Sequence, residues 1–291
     1  MNIKYFKQIL KALITILALY FVFSKIEWLE IKGLLSDINP WWFLLAFLFF
    51  NASKVLSFFR IDIFYRMIGI KLDLRTNFRL YYVGMFYNLF LPSAIGGDAY
   101  KVYLLKQSNK SITTKDLVLC ALTDRLSGLL ALLMLGLIFL FAGSVGFNLV
   151  WSTFILLLII GATPLFYVFL RFFLKKFSQD FKTTTLCSVG VQLMQAIAVI
   201  FILLGFRADG QYLDYLSLFM LSSAICIIPF TIGGVGAREL VFLYGHGYLG
   251  IDKEISILLT LSFFTINFLS SLIGLYFSLN DNRLFKSEFS V

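Results

Sequence analysis

Apolar residues fall along this chain in long blocks, without the two-residue alternation of a half-buried strand. Six blocks, roughly 8 to 24, 41 to 59, 117 to 142, 148 to 170, 184 to 205 and 255 to 279, are continuously apolar over about the 20 residues a helix needs to cross a bilayer. Two further segments, about 78 to 105 and 212 to 245, are apolar but interrupted by proline and paired glycines. The pattern predicts an all-α polytopic membrane protein. It should form a single transmembrane domain over residues 1–291, with about six full crossings and two broken, re-entrant segments.

The polar positions between blocks set the direction of travel, because cytoplasmic loops gather Lys and Arg. With the N-terminus in the cytoplasm, two crossings bring Arg60, Arg66, Lys71, Arg75 and Arg79 back inside. The next basic cluster, Lys106, Lys110 and Lys115, also belongs inside, so the segment between the clusters must enter and return on one face. Continuing, Gly143 to Asn148 falls outside, Arg171, Lys175, Lys176 and Lys182 inside, and the loop with Arg207, Asp209 and Asp214 outside. If the second broken segment also returns, Arg283 and Lys286 end inside, and both termini are expected in the cytoplasm of a cell in whose inner or cytoplasmic membrane the protein sits. Three crossings separate the broken segments. They therefore enter from opposite faces, the inverted-repeat arrangement from which transporters build midplane sites.

Both broken segments carry the same phrase: PSAIGGDAYK at 92–101 and PFTIGGVGAR at 229–238, with the prolines 137 residues apart, at 92 and 229. Pro92 and Pro229 end or kink a helix, having no N–H to donate. Gly96, Gly97, Gly233, Gly234 and Gly236 allow sharp turns and close approach. A helix restarting after each turn offers its first N–H groups to an anion. A base then stands on the first turn of each, Lys101 in one copy and Arg238 in the other. Together they suit a phosphate or carboxylate headgroup, which Arg grips with two hydrogen bonds and Lys meets as a point charge. The competing reading is that the glycines only let helices pack closely.

Composition narrows the function. The chain is 60% hydrophobic and 14% charged, with a mean hydropathy of +0.89, so nothing of domain size is left outside the lipid. The first block does not read as a cleaved signal peptide, because no small-residue cleavage site follows it. The net charge of +9 lies in short loops between apolar blocks, where it orients the chain and does not point to nucleic acid. Cys120, Cys187 and Cys226 lack CxxC spacing and read as buried thiols, and His246 stands alone, so no metal site or His-based triad is expected. There is no P-loop, and no cofactor is implied. Trp41, Trp42, Tyr81 and Tyr82 read as interface anchors.

Five acids and bases within the apolar segments carry open alternatives. Asp98 either caps a helix start or balances bases; Asp124 and Arg125 are either an interfacial pair or part of a binding or translocation path. Glu239 neutralises Arg238 or another buried base. Lys54 either snorkels or pairs with an acid.

Three stretches, NLFLPSAIGGDAYKVYLL at 88–105, LTDRLSGLLALL at 122–133 and IPFTIGGVGARELVFL at 228–243, together resemble the lysylphosphatidylglycerol synthase transmembrane region, the flippase-like membrane domain of aminoacyl-phosphatidylglycerol synthases. The resemblance covers nearly the whole chain and implies lipid movement between leaflets. Its motifs fall on Pro92, Gly96, Gly97 and Asp98, on Asp124-Arg125, and on Gly233, Gly234, Gly236, Arg238 and Glu239. Lys101 stands where the family pattern has Arg. These 291 residues hold no soluble synthase domain.

The expectation is a flippase-like, non-enzymatic lipid transporter whose partner is a membrane lipid: an anionic phospholipid, an aminoacyl-phospholipid or a polyprenyl-phosphate-linked lipid. Gly96, Gly97, Gly233, Gly234 and Gly236 would shape the site, Lys101, Arg125 and Arg238 would attract the headgroup, and Asp98, Asp124 and Glu239 would balance charge or exchange protons. Two rivals stand beside it: a membrane-embedded lipid-modifying transferase, and a non-catalytic partner of envelope-lipid or polysaccharide synthesis enzymes.

Overall fold

The computed structural model describes residues 39–90, 95–143, 149–208, 210–227 and 236–280. The crossing expected at 8 to 24, both termini, and Pro92, Pro229, Gly233 and Gly234 lie outside them. The described residues form an all-α membrane protein of nine α-helices: α1 (Pro40–Met67), α2 (Leu74–Phe90), α3 (Gly96–Ser108), α4 (Thr114–Ala142), α5 (Leu149–Phe173), α6 (Phe181–Gly205), α7 (Tyr212–Cys226), α8 (Ala237–Leu249) and α9 (Lys253–Asn280). Helices α1, α4, α5, α6 and α9 are long and apolar enough to cross a bilayer. At 1.5 Å per residue, the 13 to 17 residues of α2, α3, α7 and α8 reach only about 20 to 26 Å, less than the hydrocarbon core.

Local chemistry explains where helices begin. Asn39 accepts the Trp41 N–H at 3.1 Å, with Pro40 in the first turn, where its missing donor costs nothing. Thr113 caps α4 through the Asp116 N–H, and Asp252 caps α9 through that of Ile255. Asp73 heads α2, accepting from the Arg75 and Thr76 N–H groups; hydrogen bonding from Thr76 holds its carboxyl below the usual range. Gly236 precedes α8 at φ 84°, a conformation that strains any residue with a Cβ.

The order long, short, short, long occurs twice, as α1–α4 and as α6–α9, with α5 between. Within each copy the short helices fold back on one another. Lys101 of α3 lies over Gly84 of α2, and Tyr100 packs on Tyr87 with ring centroids 4.2 Å apart. Arg238 of α8 meets Ser223 of α7, and Gly245 lies against Leu218. The backbones in the first hairpin touch: a Cβ on Gly97 would collide with the Gly84 carbonyl and lie 2.9 Å from the Asn88 side chain. The Gly97 N–H donates to Asn88 Oδ1 at 2.8 Å.

The hairpins open toward opposite ends of the bundle. At the open end of the first, Asn77 bonds Asp62 near the Met67 end of α1. The open end of the second, with Tyr215 and Leu249, shares a core cluster with Ala46 and Phe206 near the Pro40 end. Long helices α4 and α9 each contact both hairpins, while α1 packs along α6. The most exposed of the long helices is α5, whose Leu157, Ile160, Leu165, Phe172 and Phe173 form an outward apolar face suited to lipid.

Two sequence expectations change. The second crossing does not stop at residue 59; α1 runs to Met67, so Arg60 is a buried helix residue and not a loop base. Tyr82 is 3% exposed and bonds Asn51, and Tyr81 lines a cavity, so neither is an interface anchor. Both point inward because α2 is one wall of a hairpin covered by α9, its backbone so close that a Cβ on Gly274 would meet the Tyr82 carbonyl.

Candidate functional site

Where the hairpins converge, two cavities lie side by side in the middle of the bundle. The first, about 310 Å³, takes Tyr81 and Asn88 from α2, Asp98 and Lys101 from α3, Asp124 and Arg125 from α4, and Ser223 and Cys226 from α7. The second, about 230 Å³, takes Gln192 and Gln195 from α6, Arg238 and Glu239 from α8, and Thr260 and Phe263 from α9. Lys54, Ser223, Cys226 and Asn267 belong to both. Through these four side chains the two cavities adjoin.

Their charges are organised in pairs, as buried charges must be. Asp98 Oδ1 accepts from Lys101 at 2.6 Å, and its Oδ2 from Arg125 Nε. Asp124 takes Arg60 at 2.7 Å, and Arg60 also donates to Ser188 at 3.0 Å. Asp124 and Arg125, adjacent in sequence, therefore do not pair with each other. Each joins a different helix to α4, because successive helix residues point about 100° apart. Nor does Asp98 cap its helix: no side-chain cap bond is made at the start of α3, and both carboxylate oxygens serve bases.

Arg238 donates to Ser223 at 3.1 Å and lies against the edge-to-face pair of Phe219 and Phe263, 4.9 and 4.8 Å from their ring centroids. Glu239, 1% exposed, accepts the Gly236 N–H at 2.7 Å, so its carboxylate occupies part of the α8 N-terminus. Lys54 pairs with no carboxylate among the described residues; its ammonium sits 4.2 Å from the Phe50 ring centroid, and it lines the two cavities together with Arg125 and Arg238. Counting Arg60 behind Asp124, five bases face three carboxylates. The space is net cationic.

The sequence left Lys54 undecided and missed Arg60, Asn88, Gln192, Gln195, Ser223 and Asn267. Polar side chains inside apolar blocks were the available signal, especially the two glutamines three residues apart on one face of α6. No three His, Cys, Asp or Glu side chains come together to share a metal ion among the described residues. The three cysteines are free thiols.

The sequence model described as the lysylphosphatidylglycerol synthase TM region matches residues 8–274, most of the chain. The chain belongs to that family. No curated protein matches it. Membership of the family ties the chain to a function related to membrane lipid.

Proposed function

We propose that this protein moves an anionic lipid between leaflets, holding its headgroup between the two hairpins against Lys54, Arg125 and Arg238. The observation that carries the proposal is Lys54. An ammonium in an apolar bundle costs several kcal/mol unless paired or watered, roughly 2.5 to 3.5 on insertion scales, yet this one forms no ion pair with any carboxylate among the described residues, although three of them line the same cavities. A lipid phosphate supplies the missing charge. Asp98 and Asp124 hold their bases in place, and Arg238, held against two adjoining rings, is positioned to donate. The hairpins, reaching in from opposite ends, give the site walls that can yield toward either face, as in other inverted-repeat transporters.

Leaflet exchange of fluorescent anionic phospholipids in liposomes holding the purified protein tests this. With Lys54→Met and Arg238→Met combined, two charge-assisted hydrogen bonds are lost, each worth about 1.5 to 3 kcal/mol, so exchange should fall at least about tenfold. A folded double variant that exchanges lipid at the wild-type rate overturns the proposal.

A further inference from the structure

The two cavities differ in kind. The first is walled by ion pairs; the second sets the carboxamides of Gln192, Gln195 and Asn267 beside Arg238, Glu239 and Lys54. Gln192, 5% exposed, leaves its Oε1 buried with no hydrogen-bond partner, and Arg238 Nε is buried and unpartnered as well. Gln195 and Asn267, which also line this cavity, make no side-chain hydrogen bond among the described residues. Thr260 donates to the Ile257 carbonyl at 2.8 Å, which leaves its oxygen free to accept. Native proteins leave few buried polar atoms unpaired, and two of them on one cavity wall, Gln192 Oε1 and Arg238 Nε, ask for a ligand that satisfies them.

We infer that the second cavity takes a neutral, hydroxyl-rich part of the lipid headgroup, a polyol or sugar, next to the phosphate held at Lys54. This rests on the headgroup reading above and narrows it. Carboxamides both donate and accept, and so do hydroxyls, which makes them matched partners. An unpartnered acceptor at Gln192 requires a donor, which a second ionised phosphate lacks. A cationic aminoacyl group has donors, but it would sit beside both the Lys54 ammonium and the Arg238 guanidinium, two like charges against the single Glu239 carboxylate. An acyl chain would leave every amide unsatisfied. The volume, about 230 Å³, holds several waters at their share of about 30 Å³ each in the liquid, room for a small polyol beside the shared Lys54.

The test is binding of three lipids with identical acyl chains to the full chain in detergent micelles: phosphatidic acid, phosphatidylglycerol and lysylphosphatidylglycerol. Phosphatidylglycerol, whose headgroup ends in a vicinal diol, should bind about tenfold tighter than phosphatidic acid, the yield of one or two net hydrogen bonds, and tighter than its lysyl ester. Gln192→Leu with Asn267→Leu should bring the phosphatidylglycerol to phosphatidic acid ratio to about one. Soluble glycerol phosphate should compete far more weakly than the lipid; equal competition contradicts a lipid ligand. Equal wild-type affinities for the first two lipids, or tightest binding of the lysyl ester, overturn the inference and leave the anion site standing. If Lys54→Met weakens none of the three, the headgroup reading itself fails and this one with it. The wild-type comparison needs no variant, so a poorly folding glutamine variant does not shield the proposal.

Discussion

Replacing Asp98 by Asn should lower the stability of the protein sharply while tightening its hold on anionic lipid. Asp98 is 8% exposed and serves two bases from two helices, Lys101 and Arg125. Removing one partner of a buried ion pair costs about 3 to 5 kcal/mol, because the remaining charge stays buried without compensation. Here two cations lose their counter-charge at once. A loss of about 3 kcal/mol corresponds to a melting-temperature drop on the order of 10 °C. The same change adds one unit of positive charge to the cavity and frees two bases, so binding of anionic lipid should strengthen. Adding Lys101→Met to Asp98→Asn should recover part of the lost stability, since contacting charges do not act additively. A thermal melt and a lipid titration on the same samples decide it. Parallel losses of stability and binding would mean that Asp98 builds the site and does not hold its bases in reserve.

Gly97→Ala should be comparably damaging for a different reason. The added methyl would overlap the Gly84 carbonyl oxygen and lie 2.7 Å from its carbon, and both obstacles are backbone, which cannot rotate away. Helix α3 would have to move off α2, breaking the hydrogen bond from the Gly97 N–H to Asn88 and carrying Asp98 and Lys101 with it. Overpacking of a tight contact costs about 1 to 3 kcal/mol and more where the backbone is the obstacle. Expression and melting temperature should both fall. Gly161→Ala is the control, because a Cβ there meets nothing within 4 Å and a helical Gly is itself unfavourable by about 1 kcal/mol. Should Gly97→Ala melt like Gly161→Ala, the close approach of the two helices is not what holds the first hairpin.

Much of the architecture was legible in the chain, because bilayer thickness converts apolar run length directly into crossings. The block at 117 to 142 became α4 and that at 184 to 205 became α6, within a few residues. Loop bases went further and required the first broken segment to return; it and the second broken segment are the two short-helix hairpins. What failed was Arg60. The hydropathy reading ran through Lys54 but ended the span before Arg60, whereas the structure continues the helix and neutralises Arg60 with Asp124, 64 residues away. Long-range pairing of that kind leaves no local trace. The same limit hid the true partners of Asp124 and Arg125, whose adjacency in sequence suggested a pair that helix geometry forbids.

The candidate site divides in the same way. Repetition of the glycine phrase drew attention to Lys101 and Arg238, and both border the connected cavities. Lys101, however, is tied to Asp98, while Lys54, which belongs to no motif, stands between the two cavities without a carboxylate among the described residues. Motif reading finds residues that recur. It does not find a residue whose significance is the lack of a partner, since that is a property of packing.

The central claim, that an anionic lipid headgroup occupies the space between the hairpins, is tested most directly by an experimental structure of the protein in bilayers rich in phosphatidylglycerol. The account predicts a phosphate-sized density about 3 Å from Lys54 Nζ, within reach of Arg238 or Arg125, with its acyl chains leading out to the membrane. Ordered water alone in both cavities, with lipid confined to the outer faces of the bundle, would contradict it.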